Sequence, residues 1–258
     1  MIFYGKSDVG MVRLENQDSF GIFELMPGVR LAVVCDGMGG NAGGSEASRI
    51  AVDAFTDMMR ELLIPDSPED VADLKEATVR RALKTAAAEA NSAVWNKAHE
   101  KDDGRLEGMG TTLTAVLTVG RDRGWWVNVG DSRVYLVTRN ELIQISHDHS
   151  YVQQLVDSGE MTADQAAGSP MRNIITRAIG SEQTVEADCG NIDFDYADEA
   201  GGGYLLLCSD GLYVCVERDK VLSVVNGDES VQKKTELLVN AARRAGGPDN
   251  ITVILARI

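Results

Sequence analysis

The chain has 258 residues, 44% of them apolar and 25% charged, an ordinary composition with enough apolar material for one packed core. Layered folds reach that length as single units, so residues 1–258 are expected to form one domain. The 40 acidic residues outweigh 25 basic ones, and the resulting net charge of −15 repels nucleic-acid phosphates and anionic membrane surfaces, which excludes both as expected partners.

The opening MIFYGKSDVG lacks a basic region followed by an apolar run. No stretch reaches the roughly 18 apolar residues of a membrane span, so a cytoplasmic protein is expected. A strand is predicted over residues 31–35. Residues 46–63 place Ala47, Ile50, Ala51, Ala54, Phe55, Met58, Met59 and Leu62 on one stripe at helical spacing. A second helix is predicted over residues 68–98, because Pro68 and the acidic pair after it suit a helix N-terminus. Apolar, β-branched runs at 112–119, 125–129 and 133–137 predict strands. The last two flank Gly130-Asp131-Ser132, a connection short enough for a hairpin. A strand over 204–208, a helix over 229–245 ended by Gly246-Gly247-Pro248, and a final strand over 251–258 complete the pattern. Strands and helices fall in blocks, which favours two packed antiparallel sheets with helices outside over βαβ alternation. The four cysteines, Cys35, Cys189, Cys208 and Cys215, have no CxxC spacing and are expected to be reduced.

Aspartates recur at one structural place. Asp36 ends LAVVCD, Asp131 ends WWVNVGD, Asp210 follows LLLCS, and Asp249 precedes NITVILARI. Strand ends are where loops gather, and several part-desolvated carboxylates there repel one another unless cations neutralise them. Asp18 in ENQDSF matches them in type and setting. These hard oxygen donors suit Mg²⁺ or Mn²⁺ rather than Zn²⁺. Any one Asp, above all in Asp-Gly, also reads as a turn residue. The glycines of GMGGNAGG lack the lysine and hydroxyl of a nucleotide-cradling loop, and are read as letting the backbone turn after Asp36. His147 and His149, with no matching Cys or His cluster elsewhere, are read as solvated loop residues rather than zinc ligands.

The segments GKSDVGMVRLENQDS, VVCDGMGG, GTTLTAVL, VNVGDSRVYL, LLLCSDGL and GGPDNITVIL, in that order from Lys6 to Leu255, resemble the motifs of the type 2C metal-dependent serine/threonine protein phosphatases, most closely the bacterial branch. The resemblance implies an α+β fold, a four-layer α-β-β-α sandwich with two central antiparallel sheets flanked by helices. It implies a dinuclear Mn²⁺ or Mg²⁺ centre held by Asp18, Asp36, Asp210 and Asp249 with the Gly37 carbonyl, and a third metal shared by Asp131 and Asp210. Arg13 matches the arginine that holds the substrate phosphate, and Asn250 follows the last metal ligand as in the family. Four carboxylates and two divalent cations cancel in charge, so a fixed guanidinium is needed to attract a phosphate dianion. A bridging water made acidic by the metals would attack phosphorus in line, with no phosphoenzyme.

Two residues depart from the pattern of many eukaryotic members: Gln17 replaces a glutamate, and Met38 replaces a histidine proposed as general acid. Residues 146–182 resemble the family's flap subdomain, with Ser169-Pro170 where related bacterial enzymes often have a histidine before the proline. The implied function is hydrolysis of phosphoserine and phosphothreonine in proteins, with a serine/threonine kinase of the same cell as a natural partner. A silent phosphoprotein-binding module would lack a metal ligand, and none is missing. A metallohydrolase of small phosphate esters is opposed only weakly, because substrate choice lives in surface loops.

Overall fold

The computed structural model describes residues 1–39, 43–63, 74–100, 106, 108–199 and 203–258. One sheet runs in the order β1 (Ile2–Asp8), β11 (Ile251–Arg257), β10 (Tyr204–Cys208), β7 (Arg133–Val137), β8 (Leu142–Gln144). The other runs β2 (Asp18–Met26), β3 (Val29–Met38), β5 (Leu113–Val119), β6 (Arg123–Val129), β9 (Asp188–Asn191), with β4 (Gly110–Thr111) paired to the end of β3. Every pairing is antiparallel.

Side chains alternate between faces along each strand, and both faces of these strands are covered. On β3, Leu31, Val33 and Cys35 join the core under α1 (Gly43–Leu62) and α2 (Glu76–Ala98), whereas Ala32 and Val34 point at the opposite sheet. On β10, Leu205 and Leu207 meet the β2–β9 sheet opposite, and Leu206 and Cys208 meet α7 (Arg218–Val225) and α8 (Val231–Arg244). The result is four layers, α-β-β-α, as the resemblance implied. Buried Ala82, Ala86, Ala87 and Ala90 line α2, small side chains that bring it close to its neighbours. Phe55 of α1 is fully buried, and its truncation to alanine is expected to cost about 3–5 kcal/mol.

The remaining short helices are α3 (Tyr151–Asp157), α4 (Ala163–Ala167), α5 (Phe194–Glu199) and α6 (Asp210–Tyr213). Ser150 caps α3 by accepting from the Gln153 N–H, and Thr162 and Gln165 form a capping box on α4.

Two sequence expectations are corrected. The second helix starts at Glu76, because Leu74 and Lys75 are extended or irregular rather than helical; its predicted start at residues 68–70 lies outside the described residues. β6 and β7 form no hairpin. β6 pairs with β5 and β9, and β7 with β10 and β8, so the chain crosses from one sheet to the other at Gly130-Asp131-Ser132. Gly130 takes φ +104° there, and a Cβ would lie 2.6 Å from Thr112 Cγ2, so only glycine fits this crossover. Short loops between apolar strands carry the same local signal in a hairpin and in a sheet-to-sheet crossover.

Candidate active site

The period-two alternation delivers two aspartates to the space between the sheets. Asp36 follows Ala32 and Val34 on the inward face of β3, and Asp18 is its register partner on β2. On β11, Thr252 precedes Ile254 and Ala256 on the corresponding face. Asp18 Oδ2 therefore accepts from Thr252 Oγ1 at 2.6 Å and from Ser209 Oγ at 2.8 Å, which ties one carboxylate to the opposite sheet. The backbone of Asp36 is held by the threonines at β4 and β5: its N–H donates to Thr112 Oγ1 at 2.8 Å, and its carbonyl accepts from Thr112 N–H and Thr111 Oγ1, each at 2.9 Å.

The other carboxylates come from chain connections at the same end. Asp131 sits in the sheet crossover, Asp210 is the first residue of α6, and Asp249 immediately precedes β11. A cavity of about 220 Å³ gathers Arg13, Asp36, Gly37, Asp131, Asp210 and Asp249 on its walls. Six of the seven residues expected from the sequence to hold metal or phosphate thus share one cavity. Asp18 is buried behind the wall rather than on it. No side chain fits at Gly37, where a Cβ would lie 2.1 Å from the Gly44 carbonyl oxygen and 2.5 Å from that of Gln17. Gln17 and Met38 also line the cavity, with Asn173 and Ile175 from the 146–182 segment, two residues the sequence did not single out.

Arg13 is the only cation among the described residues that line it, and it is engaged: Nη2 donates to Asp249 Oδ2 at 2.9 Å. Its side chain remains 53% exposed, so other guanidinium donors face outward. The loop that carries it is clamped by Asn250, whose Nδ2 donates to the carbonyls of Val9 (3.0 Å) and Glu15 (2.9 Å) while Oδ1 accepts from the Gln17 N–H (2.8 Å). Adjacency to Asp249 was the sole sequence signal for this clamp.

The cluster is electrostatically strained. Burial pushes the Asp18, Asp36 and Asp210 carboxyls up from the ordinary carboxylate range, and repulsion from neighbouring aspartates adds to it. Asp131 is pushed up to about 7, first by burial and then by the Asp210 and Asp148 charges. Asp18 Oδ1 and Asp210 Oδ1 are buried without a hydrogen-bond partner, a costly state for a carboxylate oxygen. Divalent cations would remove both faults, and the donor set is the hard, all-oxygen kind that Mg²⁺ and Mn²⁺ prefer. As they stand, no three His, Cys, Asp or Glu side chains among the described residues are grouped to hold one ion. The fit therefore rests on the donor chemistry and the two orphaned oxygens.

Histidine 147 is half exposed beside Asp157, as expected of a loop residue. His149 is not: it is buried, its Nδ1 accepting from the Gly130 N–H at 3.0 Å and its Nε2 3.1 Å from Asp188 Oδ2. Local spacing carried no signal of this, because Gly130 and Asp188 reach His149 through the sheet crossover and through β9.

Known proteins resemble this chain over nearly its whole length. The family model described as protein phosphatase 2C matches residues 12–255. Serine/threonine phosphatase stp of Listeria welshimeri is 35% identical over 97% of this chain and 93% of its own length. The crystal structure of serine/threonine phosphatase Stp1 from Staphylococcus aureus superposes with a TM-score of 0.87 at 29% identity, covering 99% of this chain and 94% of that one. A structure of the PstP catalytic domain in complex with two manganese ions gives a TM-score of 0.75 at 33% identity, covering 99% and 97%.

Proposed function

This chain belongs to the protein phosphatase 2C family and is a serine/threonine phosphatase; from that premise we propose that the acidic cavity between the sheet ends is its catalytic centre, loaded with divalent cations. Asp18, Asp36, Asp210 and Asp249 with the Gly37 carbonyl are the proposed holders of two Mn²⁺ or Mg²⁺ ions, and Asp131 with Asp210 of a third. The observation that carries this reading is the pair of buried, unpartnered oxygens, Asp18 Oδ1 and Asp210 Oδ1, in a cluster whose burial and mutual repulsion divalent cations would relieve. The two manganese ions in the PstP catalytic domain support it.

When bound, such cations would offset the carboxylate charge and supply an activated water for in-line attack on phosphorus. The chain's own residues do the rest. Arg13, already oriented by Asp249, keeps outward donors that bind two phosphate oxygens at once. Asn250 holds the Arg13 loop against the strand that carries Asp249. Gln17 adds no negative charge to the wall, and Met38 offers no proton, so the serine or threonine leaving oxygen takes its proton from water rather than from residue 38.

Residues 1–258 make up one catalytic domain in this reading, with residues 146–182 as a flap beside the cavity. Its substrates are phosphorylated proteins, a serine/threonine kinase of the same cell among them. The cytoplasm is its proposed place, since the cysteines are free, as in a reducing compartment. The test is hydrolysis of phosphoserine and phosphothreonine peptides with Mn²⁺, with Mg²⁺ and with chelator, against nucleotide phosphates as competitors. Turnover that survives chelation, or that prefers the nucleotides, would refute it.

A further inference from the structure

Asp131 stands in the crossover between the sheets, and the residue before it is held almost entirely by one histidine. Gly130 donates its N–H to His149 Nδ1 at 3.0 Å, and its carbonyl accepts from the His149 N–H at 2.9 Å and from Asn128 Nδ2 at 3.1 Å. The positive φ of Gly130 leaves this turn little intrinsic preference of its own. Because Nδ1 accepts, the ring proton lies on Nε2, which donates to Asp188 Oδ2 at 3.1 Å. Arg177 Nη1, 3.0 Å from the same nitrogen, donates to Asp188 Oδ1 and the Glu186 carbonyl. The His149 carbonyl accepts from the Thr176 N–H at 2.8 Å. One buried residue therefore joins the Asp131 turn, residues 176 and 177 farther along the 146–182 segment and the edge strand β9.

We propose that His149 is a positioning residue for Asp131: its Nδ1 sets the Gly130 peptide so that the Asp131 carboxylate faces the cavity, and Asp188 fixes the ring for that task. The inference rests on the reading of Asp131 as a cation ligand. It needs no contact between His149 and substrate or ion. Removing a group that orients a ligand, rather than the ligand itself, characteristically weakens cation binding by about 10-fold or more.

The test is Mn²⁺ titration calorimetry on the full chain and on His149→Asn, His149→Gln, Asp188→Asn and Asp131→Asn, with thermal melting as the control for folding. In His149→Asn the side-chain amide oxygen takes the place of Nδ1, whereas in His149→Gln only the Nε2 position is filled. The wild type and His149→Asn are expected to bind two tighter ions and one weaker ion. His149→Gln is expected to lose about 10-fold in the weaker ion with the tighter pair unchanged, as Asp131→Asn does more completely. Equal losses in the Asn and Gln variants would overturn the Nδ1 assignment. Wild-type binding by His149→Gln beside an impaired Asp131→Asn would overturn the positioning role and leave Asp131 a ligand. A wild type without a weaker ion, or Asp131→Asn binding it unchanged, would overturn the ligand reading itself. Should His149→Gln fail to fold, Asp188→Asn, at a part-exposed edge position, carries the test: a loss of about 3-fold or more in the weaker ion is expected, and no loss overturns the role.

Discussion

Asp18 Oδ2 accepts a 2.6 Å hydrogen bond from Thr252 Oγ1, a bond that joins residues on opposite sheets and 234 positions apart in the chain. With Ser209 Oγ on the same oxygen, it leaves Oδ1 as the free face of the carboxylate. Thr252→Val keeps the shape of the side chain and deletes this donor. Mn²⁺ affinity is expected to fall about 10-fold, with Ser209 still in place. Calorimetry checks it, and unchanged affinity in a folded variant would show that the bond does not orient Asp18.

Asp36→Asn and Asp210→Asn remove charge from the most crowded part of the cluster. Each is expected to lower kcat on a phosphopeptide by about 10³-fold or more, the scale of charge stabilisation a bound divalent cation supplies. Neither should unfold the protein, because each relieves a buried, repelled carboxylate. Wild-type-like rates in Asp210→Asn would refute the site.

The metal-free protein should be destabilised by its own aspartates as pH rises. The Asp131 carboxyl is raised to about 7 in the fold from an ordinary value of 3.8. A raised carboxyl favours folding fully below its unfolded value and loses that contribution as pH climbs through the folded one, here between about 4 and 7. In chelator, Asp131→Asn is therefore expected to melt about 5 °C above wild type at pH 8. The gap should close toward pH 5. Scanning fluorimetry across that range tests it, and a gap that widens toward low pH contradicts the assignment.

His149 is held neutral by the reverse effect: burial lowers its pKa below the ordinary 6.5, against the raising influence of Asp188. A depressed histidine favours folding above its unfolded value and loses that contribution as pH falls through the folded one. Melting of His149→Asn, compared with wild type in saturating Mn²⁺, is expected to fall less between pH 7 and pH 5. Parallel curves would count against a neutral ring.

Arg13→Ala removes the only cation among the described cavity-lining residues. Its pair with Asp249 is exposed, so melting should change little. kcat/KM is expected to fall about 10- to 100-fold, chiefly through KM, with Arg13→Lys restoring only part because an ammonium cannot bind two phosphate oxygens in one plane. Steady-state kinetics on one phosphopeptide decides it.

Much of this site is local in the sequence. A strand that ends in Asp places the carboxylate at the rim of a sheet, and alternation along β2 and β3 already decides that Asp18 and Asp36 share an inward face once those strands are known. β1, β2, β8 and β9 carried too weak a pattern to be predicted. β2 mixes Gly21 and Glu24 with aromatics, and β9 is the short, polar stretch DCGN.

The amino-acid sequence by itself determined the residue types, their order, the apolar faces and the acidic strand ends, because each depends on neighbours a few positions away. Tertiary structure alone decided which sheet each strand joined, that Asp131 sits in a crossover rather than a hairpin, that Asp18 lies behind the cavity wall, and that Arg13 leans on Asp249. It also decided that His149 is buried rather than solvated. Each of these depends on pairings between distant segments, such as Asp18 with Thr252 and Arg13 with Asp249, for which spacing along the chain holds no measure.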